Sequence, residues 1–596
     1  MDTVATALDA LDAGRWDAAG ARMVAKMLSE LLYERLLSAE PAGSGTGRWT
    51  AAAGAAVYDF AARPRLYERL RVEPGSVRRG AAAASDPVRL LLDLAPAAGM
   101  DPATTAHLAR ELRATQLADC HIAAAPRRTA AEIVDLSWAE VEGEMDGHPW
   151  LVPNKGRIGF GHADHLLHAP ERRRPQRLLW LAVREGRGEY RAVAGLDHRR
   201  LRALQLDPDT ATRFEAGLRR RGEDPDRFLW FPAHPWQWDH VVLPLFAADL
   251  ASGDLVVLGE GDDAHLPQQS IRTLTNVGTP GRHSVKLPVS ILNTLVYRGL
   301  PTERTLAAPA VTAFLQGIAA ADPFLRDRCR VVLLGEVAAV AVPHPAYEEL
   351  DGAPYQYREL LGCIWREGLE GRLDPEERAM TMAALLHVDA GGRAVVADLV
   401  RRSGLTPAAW LDALLLAVLP PLLHFLYRYG VVFSPHGENA ILLHRGGVPT
   451  RLAIKDFVDD VNLSDQPLPE LAGVDPGLRA VLLAEPPEWL CQFLWAGLLI
   501  GHFRYLSDLM EDHLGLAERD FWAAVRRAVL DHQARFPELA ERFVLFDLLA
   551  PRFARICLNR NRMLLDGYAD RPERPHAATH GTVANALAEV AGVAIS

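Results

Sequence analysis

The sequence predicts an α+β fold on three observations: helical apolar spacing near the start, short β-type runs cut by Pro and Gly in the middle, and helical spacing again towards the end. Residues 21–37 carry Met23, Val24, Met27, Leu28, Leu31 and Leu32 on one face, with Lys26, Glu30 and Glu34 between them, an amphipathic helix. The Gly-rich loop 41–47 lacks the Lys-Ser/Thr ending of a phosphate-binding P-loop. Alanine-rich segments continue to about residue 144, so the first region is expected to be largely helical. Between 147 and 352, runs such as 228–232, 255–258, 284–287 and 331–341 read as strands of a mixed sheet. Helical patterns return after Asp374, interrupted by two apolar runs, 440–443 and 452–454. Arg445-Gly446-Gly447-Val448-Pro449 separates those runs, which predicts a β-hairpin. The run 413–423 is too short to span a bilayer and contains Pro420-Pro421, so it reads as a buried core helix. Residues 522–565 are again helical, and 571–596 open with Pro572 and Pro575 as a loosely held extension before a last short helix.

Composition narrows the function classes. A chain of 596 residues, 49% hydrophobic and 24% charged, is long enough for several cored regions. A formal charge of −11 argues against nucleic-acid binding, and Arg172-Arg173-Arg174 is too short a run to reverse that. The five cysteines are far apart with no C-x-x-C pair, which fits a reducing cytoplasm and gives no zinc ribbon. The N-terminus shows no secretory signal, and no membrane partner is expected. Templates for a Walker loop, a zinc protease helix, a hydrolase elbow and a dinucleotide fingerprint all fail.

Chemistry concentrates in a few polar clusters. Antiparallel pairing across Gly446-Gly447 brings Glu438 and Asn439, of His436-Gly437-Glu438-Asn439, beside Lys455 and Asp456. An amide and a carboxylate at one strand end suit a hard cation such as Mg²⁺, and a neighbouring ammonium suits phosphate. In 268–273, a strand would point Ser270 and Arg272 together at one anion, with Lys286 adding a point charge. A helix after Pro288 would align Ser290, Thr294 and Arg298 as a polar stripe fit for a carboxylate-rich substrate. Lys155 and Arg157 lie in a Gly/Pro-punctuated loop, 147–160, that reads as a lid over an anion. His162, His165 and His168 lack paired acids and read as structural, and His234-Pro235-Trp236-Gln237-Trp238 as scaffold.

Taken in order, GHPWLVPNKGRIGF (147–160), HPWQW (234–238), SIRT with KLPVSILNTLVYRG (270–299), HGENAIL with KDF (436–457) and FDLLAPRFARICLNR (546–560) resemble the NRPS-independent siderophore synthetases, the aerobactin-synthetase-like IucA/IucC family. The resemblance implies a cupped, hand-like fold: a helical thumb (1–140), β-rich fingers (141–370) and a mostly helical palm with a small sheet (371–596). It implies a homodimer that uses ATP and Mg²⁺ to turn a carboxylate into an acyl-adenylate, which a polyamine, hydroxylamine or alcohol then attacks. Ser270, Arg272 and Lys286 would hold the ATP phosphates, with Lys155 and Arg157 as further cations. His436, Asn439 and Asp456 would serve the nucleotide and metal region, with Glu438 as a third metal candidate. Thr294, Arg298 and His436 would hold substrate carboxylates, and Lys286, Arg298 and His436 form the catalytic set. Pre-placed cations and a metal stabilise charge moving onto departing pyrophosphate, so no protein nucleophile is needed.

Three positions depart from the family's pattern. Leu151-Val152 stand where a second His-Pro pair is frequent, Ser434 where an acid is frequent, and Glu438 where glutamine is frequent. The HGEN, KD and SILN-x-x-x-x-RG forms look more like the branch that completes siderophores from citrate half-amides or dicarboxylate-hydroxamate half-amides. Two other readings remain: a kinase-like phosphotransferase using Asn439 and Asp456, and a non-catalytic binding protein on the same scaffold.

Overall fold

The computed structural model describes residues 8–592 apart from Ser44, Asp566 and His576. Helix Ala13–Tyr33 begins at Asp12, whose side chain accepts from the Arg15 N–H, and it buries the predicted apolar face. The expectation of a largely helical start misses one element. Residues 39–83 form a six-stranded antiparallel sheet around the long strand Ala56–Arg65. Alanine-rich composition hid it, because the strand signal is the alternation of buried Tyr58, Phe60 and Ala62. Gly54 closes the hairpin at φ +57°, where a Cβ would also meet the Asp93 carbonyl oxygen at 2.6 Å. Helices Pro87–Ala98 and Pro102–Ala124 cover this sheet and share its core with Val152 and Met563 from far along the chain.

The middle of the chain builds a three-stranded sheet (Leu255–Glu260, Leu179–Arg184, Phe228–Ala233) and a six-stranded one. The latter runs His265–Pro267, Thr273–Asn276, Ser284–Lys286, Gly362–Arg366, Glu336–Ala341, Glu189–Ala192. Every pairing in these two sheets is antiparallel. The mixed pairing expected for this region is confined to Val332–Leu333, which joins the Val448–Ile454 strand in parallel within a sheet otherwise antiparallel; Val461–Ser464 also pairs in parallel with Ala484–Glu485.

The last part is mostly helical around a four-stranded sheet that contains the predicted hairpin, Ala440–Arg445 with Val448–Ile454. Gly446 and Gly447 form its turn at φ +56° and +89°, values that favour glycine. The apolar segment Pro407–Tyr429 has a mean hydropathy of 1.8, but 72% of it is buried among neighbouring helices, as expected of a core helix. The tail is not loosely held: Ala578–Ala584 pairs with Arg552–Cys557, and Ala586–Glu589 is helical. The largest core cluster links residues from Tyr33 to Val590 and takes in both strands of the predicted hairpin through Ala440, Leu442, Leu452 and Ile454.

Candidate active site

The hairpin base is where the distant segments meet. The Lys455 N–H donates to the Asn439 carbonyl at 3.1 Å, fixing the predicted register. Asp456 then takes a left-handed backbone, φ +64°, and Phe457 is fully buried as the anchor of a tight turn. The Val461 N–H closes that turn on the Phe457 carbonyl at 3.0 Å. Asp456, Asp459 and Asp460 are thereby gathered at one edge.

Opposite them stand three neighbouring strands of the six-stranded sheet. Lys286 lies across from Ile364, while Arg366 lies across from both Ser284 and Glu336. Antiparallel register therefore places Lys286, Arg366 and Glu336 side by side. The Lys286 ammonium meets Asp456 Oδ1 at 2.8 Å, Asp459 Oδ2 at 2.9 Å and Glu336 Oε1 at 3.6 Å. Arg366 bridges Glu336, at 3.1 Å, to Asp456. Arg272 reaches Asp459 at 3.0 Å and the Gly299 carbonyl. Burial would raise the Asp456 and Asp459 pKa values, but Lys286 with Arg366 or Arg272 outweighs it and holds both well below the usual carboxylate range.

Two groups are poorly compensated. Burial pushes the Asp460 carboxyl up to about 6; His436 opposes the shift while Asp456 and Asp459 add to it. Its partner is the Asn439 amide, at 3.0 Å. Arg298 is lowered to about 10 by burial and then by Arg272. Its Nη2 donates to the Thr294 hydroxyl at 2.7 Å, and its Nε has no hydrogen-bond partner among the described residues. Such mismatched charges are what an absent anionic ligand and its cation would relieve.

Several sequence expectations change. Residues 289–298 form a hairpin, Val289–Asn293 with Val296–Arg298, not a helix. Thr294 and Arg298 still meet, but through the turn, where Thr294 sits at φ +60°. Ser270 and Arg272 share no strand face. They lie in a turn with Ile271 at φ +70°, and the Ser270 hydroxyl accepts from the Thr273 N–H at 3.2 Å. Lys155 and Arg157 form no open lid. Lys155 is buried against Asp119 at 2.9 Å, and Arg157 clasps Glu171 at 2.7 and 2.9 Å. Lys26 staples the same loop by donating to the His148 and Leu151 carbonyls at 2.7 and 2.8 Å.

The metal candidates also separate. Asp456 Oδ1 is engaged by Lys286 and Arg366. Glu438 acts on Arg298 and Glu142 only through charge, and its backbone N–H donates to His436 Nδ1 at 3.3 Å. Among the described residues no group of three or more His, Cys, Asp or Glu is arranged to hold a metal alone. Asp459 Oδ1 is buried without a hydrogen-bond partner, however, and Asp460 is a strained acid beside an amide. That donor set fits Mg²⁺, which takes one or two carboxylates and completes its shell with phosphate and water.

Sequence reasoning missed Asp459 and Asp460, although K-D-F-V-D-D was legible three and four positions past Asp456. It also missed Glu336, Arg366, Glu359 and Arg574, which only sheet register and chain folding bring here.

Fixed cations and carboxylates thus gather at one edge of the six-stranded sheet, an arrangement suited to anionic, carboxylate-bearing ligands. The chain belongs to the IucA/IucC family, whose model matches residues 137–387, and a model described as a ferric iron reductase FhuF-like transporter matches 408–571. It is 41% identical over 576 residues to the rhizobactin siderophore biosynthesis protein RhbF of Rhizobium meliloti (strain 1021), covering 96% of each chain. Aerobactin synthetase IucC from a hypervirulent pathotype of Klebsiella pneumoniae superimposes with a TM-score of 0.86 at 32% identity, over 98% of this chain and 100% of that one. The ATP-bound aerobactin synthetase IucA of the same source shares the fold, with a TM-score of 0.75 at 18% identity over 96% and 99%.

Proposed function

We propose that this chain is an ATP-dependent siderophore synthetase that adenylates a carboxylate of a citrate-type or dicarboxylate-hydroxamate acid and joins it to an amine or alcohol. AMP and pyrophosphate are the other products. The observation that carries the reading is the Lys286 ammonium held among Asp456, Asp459 and Glu336 with Arg272 and Arg366 beside it. These cations are already desolvated and positioned, so a triphosphate entering here meets them without further ordering. Mg²⁺ supplied with ATP would be held by Asp460 and Asn439 with Asp459 beside them, and when bound it neutralises phosphate charge. Arg298 and Thr294 orient the donor carboxylate, and the stapled loop 147–157 keeps water from that wall.

Purified protein given ATP, Mg²⁺ and a panel of citrate and succinyl-hydroxamate acids should release pyrophosphate and AMP. ADP would instead identify a phosphotransferase, and silence across the panel would defeat the reading. A homodimer is part of the same proposal, measured by light scattering.

A further inference from the structure

The C-terminal segment 567–575 crosses the site's rim, and no local pattern marked it as functional. It is held at both ends. Arg562 reaches back to the Gly567 carbonyl at 2.7 Å and to Glu111 at 2.8 Å, and Tyr568 bonds the same glutamate. Asp570 accepts from Gln356 at 2.6 Å, and the Tyr355 N–H donates to the Arg571 carbonyl at 3.0 Å. The segment thereby delivers Arg574. Its guanidinium meets Glu359 at 2.8 and 2.6 Å, shares the Gly299 carbonyl with Arg272 at 3.2 Å, and stands 4.0 Å from Asp459 Oδ1.

Arg574 thus stands beside Arg272 and Arg298, and both cations act on the depressed Arg298. Glu359, its resting partner, is almost fully buried, and a Cβ at the adjoining Gly299 would strike it. Arg574 itself remains about a quarter open to solvent. A buried acid holding a partly open arginine, next to an arginine that makes no direct ion pair with a carboxylate among the described residues, is an arrangement that a second carboxylate would complete.

We infer that Arg574 binds a second carboxylate of the acyl donor, so that Arg298 and Arg574 together select di- and tricarboxylates over monocarboxylates. This rests on the ligase reading and names its donor class. On binding, the guanidinium exchanges Glu359 for the incoming carboxylate, and no bond is made or broken.

The test uses the full chain and donor-dependent ATP–pyrophosphate exchange. Arg574→Ala should raise KM for citrate at least tenfold and leave KM for ATP within about twofold. Arg574→Lys should recover only part of the loss, because an ammonium cannot form the paired contact. Glu359→Gln removes the competing carboxylate from Arg574 and should lower citrate KM. Tricarballylate diamide, which keeps only the reacting carboxylate, should lose most of its sensitivity to Arg574→Ala. Hydrogen exchange across 567–575 should slow with citrate in the wild type and not in Arg574→Ala, a readout that survives if the variant is less stable. Equal losses for citrate and the diamide, or a shift confined to ATP, would overturn the inference alone. Wild-type protein that exchanges with no acid would overturn the ligase reading as well.

Discussion

Two ion-rich regions of this molecule look alike in composition and differ in compensation. One is the seam that ties the N-terminal helices and sheet to the last third of the chain. There Arg504 meets Glu30 at 2.8 Å, Arg562 meets Glu111 at 2.8 Å, and Arg69 meets Asp508 at 2.6 Å. Burial would lower both Arg504 and Arg562, but their glutamates outweigh it and hold each above its ordinary value. Asp508 is likewise held low against burial by Arg69, Arg71 and Arg65. The other region is the active site, where burial wins at Asp460, raised to about 6, and at Arg298, lowered to about 10. Matched pairs hold a structure together, whereas mismatched ones store an electrostatic demand for a ligand.

The largest effect on chemistry is expected from Lys286→Ala, because Lys286 is the ammonium around which Asp456, Asp459 and Glu336 gather. Loss of one pre-placed charge partner should lower donor-dependent exchange on the order of 10²–10³-fold. A variant of near wild-type rate would mean the phosphates bind elsewhere. The seam should respond in the opposite currency. Arg504→Ala leaves Glu30 buried without its cation and should destabilise the fold by about 3–5 kcal/mol in urea denaturation. Its kcat per folded molecule should be unchanged, and a matching fall in kcat would dissolve the distinction between the two regions.

A smaller effect tests the mismatch itself. The folded Asp460 pKa, about 6, lies above its ordinary 3.8, so ionising this carboxyl costs stability. The cost is absent below about pH 4, develops between about 4 and 6, and is constant above that. Asp460→Asn cannot ionise and should therefore be more stable than wild type at about pH 7.5 without ligand, by about 1–2 kcal/mol after allowing for water screening. The gain should vanish near pH 4, while activity falls. A variant equally stable at both pH values would show that Asp460 carries no such penalty.

How much was legible follows from where the information lies. The Gly446-Gly447 hairpin and its register were readable because turn chemistry and alternation are local. Lys286, Arg272 and Asp456, grouped by the sequence reading, do meet in one ion cluster. Glu336 and Arg366 were not, since on their own strands they look like ordinary charges and only antiparallel register sets them beside Lys286. Lys155 and Arg157 misled for the complementary reason: Gly and Pro mark irregular backbone, but not whether a distant acid such as Asp119 neutralises the cation. The early sheet was missed because alanine carries helix propensity while packing on Tyr58 and Phe60 decides for strands.

Glu438 gives the smallest predicted effect and the finest test of the comparison. Its carboxylate charge favours the protonated form of Arg298, and it opposes ionisation of Glu142. A residue acting only through space in a partly solvated site contributes little, because water screens it. Glu438→Gln should therefore change the Mg²⁺ midpoint and the citrate KM by no more than about threefold, with the citrate KM falling because a competing anion near Arg298 is gone. A Mg²⁺ midpoint raised tenfold or more would move the metal seat from Asp460 and Asn439 towards Glu438, four residues beyond Ser434.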